Sequence, residues 1–247
     1  MTVPSPPPLP PVMGHRGARG HAPENTVASL RRAGELGASW VEFDAKLTRD
    51  GVPILMHDDT LKRTTDGRGA VADTTLAEIR TLDAGRWFSP DFAGEPVPTL
   101  DEAMDALAAR GMGANVEIKP CPGQDAETGT AVARALAARW TGMQKPPFVS
   151  SFSGEALAAA RAAAPEVPRG LLAEKFPDDW GAQLAALGCA TFHLDHRRIT
   201  ADRVRAIRQA GYRVLAYTVN DAARARTLLD WGVESVMTDY PERIAGR

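Results

Sequence analysis

From Val12 almost to the C-terminus, short apolar runs alternate with stretches of helical length, a rhythm that leaves few folds open. Candidate strands fall at Val12–His15, Val41–Leu47, Asn115–Ile118, Phe148–Ser151, Gly170–Leu172, Phe192–Asp195, Arg213–Thr218 and Ser235–Thr238. Amphipathic or alanine-rich segments lie between them, at Thr26–Leu36, Thr99–Ala109, Glu127–Trp140, Gly154–Ala163, Gln183–Leu187, Ala201–Ala210 and Ala222–Trp231. Repeated strand-then-helix units call for a parallel sheet covered by helices. Eight of them in 247 residues predict an α/β chain closed into a (β/α)8 TIM barrel, with residues 12–247 as a single domain.

Two segments depart from the rhythm. Residues 1–11 include Pro4-Ser-Pro-Pro-Pro-Leu-Pro-Pro11, which can enter neither a helix nor a ladder and reads as an extended arm ahead of the fold. From about residue 59 to 98 the chain is rich in Thr, Asp, Gly and Arg, and this stretch reads as a small insertion after the second strand, lying over one barrel mouth. Its apolar residues are too few to predict a core of its own.

Charge narrows the partners. Lys and Arg number 29 against 31 Asp and Glu, a net charge of −2, so no basic footprint invites nucleic acid or an anionic membrane. No apolar run approaches the roughly 20 residues that span a bilayer, so no stable membrane insertion is expected. The N-terminus lacks a basic region followed by an apolar stretch and a cleavage site, so a cytoplasmic location is expected. Cys121 and Cys189 have no framework spacing and are expected to be reduced thiols.

The chemistry concentrates at strand ends. In Val41-Glu-Phe-Asp-Ala45, strand alternation puts Glu42 and Asp44 on one face and the apolar residues on the other. In Asn115-Val-Glu-Ile-Lys119, Glu117 and Lys119 likewise share a face. Acids gathered in a barrel interior must share a proton or a cation. Three carboxylates make an all-oxygen set suited to a hard divalent ion, Mg²⁺ or Ca²⁺, rather than zinc. His15 and His57 sit where strand regions meet loops, and in this fold the C-terminal strand ends host the active site, so both are candidates for proton transfer beside the carboxylates. Arg16 and Lys119 add fixed positive charge. His193 and His196, three apart, would point to opposite faces and are expected to pack in the core or rim, and His21 is expected to be solvated.

The ordered set His15-Arg16-Gly17, Pro23-Glu24-Asn25-Thr26, Glu42-Phe43-Asp44, His57-Asp58, Glu117-Ile118-Lys119, Ser151-Phe152, Thr218-Val219-Asn220 and Thr238-Asp239 resembles the glycerophosphodiester phosphodiesterase family, cytosolic bacterial branch. The resemblance runs from Val12 to about Pro241 and implies a (β/α)8 barrel with an insertion after the second strand. It implies that Glu42, Asp44 and Glu117 bind one divalent cation, that His15 and His57 are the acid/base residues, and that Arg16 and Lys119 hold the phosphate. Glu24 would contact the metal or the glycerol region, with Asn25 or Thr26 capping the first helix. Tyr217, where many relatives carry Trp, would offer an aromatic wall to substrate, and Asp239 would either support catalysis or cap the helix before Pro241.

The implied reaction is metal-dependent hydrolysis of a small glycerophosphodiester to sn-glycerol 3-phosphate and an alcohol. Three carboxylates against Arg16 and Lys119 leave a net −1, which a divalent ion turns to +1. A monoanionic diester would otherwise meet repulsion of about 4 kcal/mol per charge pair at ~4 Å and an effective dielectric of 20, so metal dependence is expected. Two other readings use the same residues: a phospholipase-type diesterase acting on intact lipids, and a non-catalytic phosphate-binding barrel. The first predicts an apolar docking rim and the second has no use for a pair of histidines. The leaving alcohol, the choice between Mg²⁺ and Ca²⁺ and the oligomeric state have no signature in the residues.

Overall fold

The sheet closes on itself. The computed structural model describes residues 3–139 and 144–245. Its strand β1 (Val12–His15) pairs in parallel with β2 (Trp40–Leu47) on one side and with β9 (Ser235–Thr238) on the other. The circuit is completed by β4 (Gly113–Ile118), β5 (Phe148–Ser151), β6 (Arg169–Ala173), β7 (Thr191–Asp195) and β8 (Arg213–Tyr217), each parallel to its neighbours. This is the expected eight-stranded parallel barrel. A ninth strand, β3 (Pro53–Leu55), was not foreseen; it adds to β2 in the antiparallel sense.

Helices α1 (Val27–Glu35), α3 (Leu100–Ala108), α4 (Asp125–Arg139), α5 (Gly154–Ala163), α6 (Trp180–Leu187), α7 (Ala201–Gln209) and α8 (Ala222–Asp230) wrap the barrel, and α9 (Pro241–Ala245) follows the last strand. The expected last residue of α4, Trp140, lies outside the described residues. Thr26, Thr99, Ser153, Thr200 and Asp221 each accept a backbone N–H of the first turn at the head of α1, α3, α5, α7 and α8, so five helices start at short polar side chains suited to that task.

Alternation along each strand sorts its side chains. Val41, Phe43 and Ala45 pack outward with Leu30, Leu100 and Val132 of the helices, which turns Trp40, Glu42, Asp44 and Lys46 inward. The barrel floor is apolar, built by Met13, Trp40, Phe148, Leu215 and Met237. Gly113 makes room for it: a Cβ there would lie 2.4 Å from the Trp40 ring.

The proline arm does not run free. Leu9 joins the floor cluster, its N–H donates to Glu234 Oε1 at 3.2 Å, and Arg213 donates to the carbonyls of Pro6 and Pro7 at 2.6 and 3.0 Å. An extended proline segment leaves its carbonyls unpaired, and a guanidinium supplies the donors. Leu9→Ala is expected to cost about 2–4 kcal/mol in urea unfolding with turnover unchanged, because Leu9 plugs the end of the barrel opposite the mouth.

The insertion is also more structured than its composition suggests. It holds the short helix α2 (Leu76–Ile79) and two 3₁₀ turns, and its Leu61, Val71, Ile79, Ala84 and Val97 pack with Ile54, Met56 and Cys121 into a satellite core. The cluster is completed from outside the insertion, by Ile54 and Met56 at β3 and by Cys121 after β4. Cys121 and Cys189 are both free and buried. No helix among the described residues is long and apolar enough to cross a membrane.

Candidate active site

Register between strands assembles the site. His15 on β1 stands opposite Glu42 on β2, and Asp44 stands opposite Glu117 on β4. One carboxylate oxygen from each of Glu42, Asp44 and Glu117 lies within 4.8 Å of the others, and all three residues are buried. Such crowding has an electrostatic cost. Burial, then the charges of Asp44 and Glu117, push Glu42 well above the usual carboxylate range. Burial and Asp44 raise Glu117 to about 7. Asp44 is held at about 2 because Arg16, His57 and Lys119, with the Asn25 amide, outweigh its burial.

The trio fits a hard cation. Asp44 Oδ1 is buried without a hydrogen-bond donor, which is costly for a charged oxygen and is relieved by a positive ion in the cluster. Asn25 holds the opposite edge of the same carboxylate: its Nδ2 donates to Asp44 Oδ2 at 2.8 Å and its Oδ1 accepts the Asp44 N–H at 3.1 Å. It does so from a left-handed backbone conformation, φ 58°, which Asn tolerates. Thr26 is therefore the cap of α1, and Asn25 is a support of the carboxylate cluster that local reading could not separate from a cap.

Both imidazoles are fixed through Nδ1. His15 Nδ1–H donates to Asp239 Oδ1 at 2.6 Å, and its Nε2 stands 3.9 Å from Glu42 Oε2. Asp239 is positioned in turn by Asn220, which donates to Oδ2 at 2.8 Å. Asp239 is thus the partner of His15. His57 follows β3 and not a barrel strand, which revises its expected position; the Met56 N–H donating to the Asp44 carbonyl at 3.1 Å ties that strand end to β2. Its Nδ1–H donates to Asp58 Oδ1 at 2.7 Å. A carboxylate can only accept, so in both pairs the Nδ1 tautomer is set and Nε2 carries the ring's lone pair. Burial holds both histidines below their usual pKa despite these partners.

Arg16 has φ 49°, a strained conformation for a long side chain, and its N–H donates to Glu42 Oε2 at 3.1 Å. Gly17 follows at φ 84°, where a Cβ would meet Ser29 Oγ at 2.5 Å, so the turn admits only glycine. The Arg16 guanidinium donates through Nη1 to Glu24 Oε1 at 2.6 Å and stands 3.2 Å from Asp44 Oδ2. Lys119 Nζ donates to Glu117 Oε1 at 2.8 Å and lies 3.9 Å from Asp44 Oδ1 and 5.5 Å above the Phe152 ring. Burial opposes its charge, but Glu117 and Asp44 prevail and raise its pKa.

Glu24 differs from expectation. Arg16 and Arg63 donate to Glu24 Oε1, and Arg19 and Arg63 to Oε2, so the buried carboxylate has no lone pair left for a metal or a glycerol hydroxyl. It orients arginines instead. Tyr217 donates its hydroxyl to the Ala173 carbonyl at 3.0 Å and sets its ring edge-on to the half-exposed Phe152, so it offers ring surface only. His193 is buried in the barrel interior, 2.8 Å from Thr191 Oγ1, and burial takes its pKa down to about 3. His21 is not simply solvated: its Nε2 meets Glu242 Oε1 at 2.9 Å.

Fold and site together define a (β/α)8 barrel of the enzyme kind, its polar cluster gathered at the C-terminal mouth. Residues 15–243 match the glycerophosphoryl diester phosphodiesterase family. The chain is 35% identical over 250 residues to a glycerophosphodiester phosphodiesterase of Bacillus subtilis, covering 93% of this chain and 83% of that one. It is 33% identical to a glycerophosphodiester phosphodiesterase of Caldanaerobacter subterraneus, over 94% of this chain and 95% of the other. A structure of an Oleispira antarctica phosphodiesterase in complex with the product sn-glycerol 3-phosphate superposes with a TM-score of 0.92 at 44% identity, covering 96% and 95% of the two chains. The chain belongs to the glycerophosphoryl diester phosphodiesterase family, and its enzyme class is that of a phosphoric diester hydrolase.

Proposed function

We propose that the chain hydrolyses small glycerophosphodiesters to sn-glycerol 3-phosphate and an alcohol, with one divalent cation, Mg²⁺ or Ca²⁺, held by Glu42, Asp44 and Glu117. The observation that carries this reading is the pairing of two carboxylate-oriented imidazoles with a buried carboxylate trio that includes an unpartnered oxygen. When bound, the cation supplies Lewis-acid stabilisation of phosphoryl charge. Arg16 and Lys119 orient the diester. One imidazole accepts a proton at Nε2 from the attacking oxygen as it bonds to phosphorus; the other donates a proton to the alkoxide as the phosphorus–oxygen ester bond breaks. The attacking oxygen belongs to water or to the adjacent glycerol hydroxyl, and either route uses the same residues.

Among the described residues the large exposed apolar side chains beyond the arm are Trp87 and Phe152, each packed edge-on against one neighbouring ring, Phe88 and Tyr217, and so small an apolar surface favours a small diester over an intact lipid. Purified protein given glycerophosphocholine is expected to release glycerol 3-phosphate, to stop in EDTA and to resume with Mg²⁺ or Ca²⁺, whichever is the working ion. Turnover that survives thorough chelation would remove the metal from the reaction. Absence of release from the choline, ethanolamine, glycerol and inositol esters with both ions would redirect the assignment to lipid diesters or to phosphate binding.

A further inference from the structure

His57 hangs from the short strand β3, outside the parallel frame that fixes His15, so its ring needs another anchor. Asp58 supplies the contact, yet the side chains of His57 and Asp58 are 30% and 26% exposed, and a carboxylate at that exposure can turn to solvent unless it is held. Arg63 holds it. Nε donates to Asp58 Oδ2 at 2.7 Å and Nη2 to Oδ1 at 2.8 Å, a two-pronged grip on the oxygen pair that includes the acceptor of His57. The other edge of the same guanidinium grips Glu24, Nη1 to Oε2 at 2.9 Å and Nη2 to Oε1 at 2.8 Å. Four of the five guanidinium hydrogens are thus spent on two carboxylates, and the planar group locks both.

The root of Arg63 is rigid. Leu61 and Thr65 flank it as buried residues; the Leu61 N–H donates to the Gly69 carbonyl at 3.1 Å, and the Thr65 N–H and hydroxyl donate to the Leu61 carbonyl at 3.1 and 2.6 Å. The loop is stapled before the side chain reaches out. Its far anchor, Glu24, is a buried carboxylate already joined to Arg16 and Arg19. A chain of charge-assisted bonds therefore runs from the barrel loop after β1 through Glu24, Arg63 and Asp58 to the His57 ring.

We infer that Arg63 is a positioning residue: through Asp58 it sets the orientation and tautomer of His57, and this is the contribution of the insertion to the reaction. The inference rests on the assignment of His57 to proton transfer. A purely architectural Arg63, tying the insertion to the barrel, would make the same bonds but would act independently of His57, so the two roles separate in a double-mutant cycle.

Steady-state release of glycerol 3-phosphate from glycerophosphocholine, in the cation that supports turnover, is measured for Arg63→Ala, Asp58→Asn, His57→Ala and the His57→Ala/Arg63→Ala double variant, with a thermal melt of each. Arg63→Ala and Asp58→Asn are each expected to lower kcat about 10–100-fold, as loss of an orienting partner does, with KM moved by less than about threefold. In the His57→Ala background, Arg63→Ala is expected to change kcat by less than about threefold, since its route of action is gone. Millimolar guanidinium is expected to restore part of the Arg63→Ala rate and none of the double variant's. An undiminished Arg63→Ala loss in the His57→Ala background, or wild-type kcat in Arg63→Ala, overturns the inference. Wild-type turnover in His57→Ala overturns the proton-transfer assignment beneath it, a separate and distinguishable failure. Should Arg63→Ala fail to fold, Asp58→Asn alone and combined with His57→Ala carries the same cycle.

Discussion

Glu42→Gln is expected to lower turnover by about 10³-fold or more, equivalent to ~4 kcal/mol of lost transition-state stabilisation, while raising the melting temperature of the chelated protein. The two effects have one origin. Glu42 is buried, shares its face with Asp44 and faces Glu117 within the trio, and its charge is opposed by desolvation and by both neighbours. A glutamine keeps the shape and can still accept the Arg16 N–H that Glu42 Oε2 accepts at 3.1 Å. What it removes is a carboxyl that, without a cation, must either carry a buried charge beside two others or take up a proton on folding. Relief of ~1 kcal/mol would raise the melting temperature of a domain this large by about 2–4 °C. The gain should shrink once Mg²⁺ or Ca²⁺ is present, because a bound ion offsets the repulsion in the parent and binds the variant less well. A variant that melts lower in EDTA would show that the carboxylates are not in conflict, and activity retained at saturating cation would remove Glu42 from the ligand set.

His15→Ala is expected to lower kcat by about 10²–10⁴-fold, the range for a positioned acid or base, with a circular dichroism spectrum and melt close to the parent's. The ring lies at a strand end above the apolar floor, so its loss leaves the main packing intact. Asp239→Asn provides the finer measurement. An amide in that position can donate to Nδ1 and stabilise the opposite tautomer, leaving Nε2 protonated; kcat should fall about 10–100-fold with little change in KM. An Asp239→Asn enzyme at parental kcat would show that the 2.6 Å contact does not govern the ring.

The carboxylate faces were legible in the sequence because a strand has a period of two and needs no partner to express it. Glu42 with Asp44, and Glu117 with Lys119, share their faces whatever lies beside them. The same local logic predicted the barrel from its alternating units and a cap for the first helix at Asn25 or Thr26. Local reading lost its power where function depends on partners far along the chain. His15 and Asp239 are 224 residues apart, and only closure of β1 against β9 brings them together. Asp58 was part of a recognised motif but had no role until its oxygens were seen between His57 and Arg63.

Arg63 left no signal at all: its partner Glu24 is 39 residues away, and the polar composition around it described a loop without showing the satellite core that stiffens it. The proline arm followed the same pattern. Residue types dictated that it be extended, whereas Leu9 found its place only because the barrel floor offered Met13, Trp40 and Phe148 to pack against. The sequence by itself determined which side chains lie on which face of each strand, because steric alternation and capping act over a few residues. Only the tertiary structure decided which carboxylate faces which histidine and which arginines occupy Glu24, because register and long-range charge pairing are set when the barrel closes.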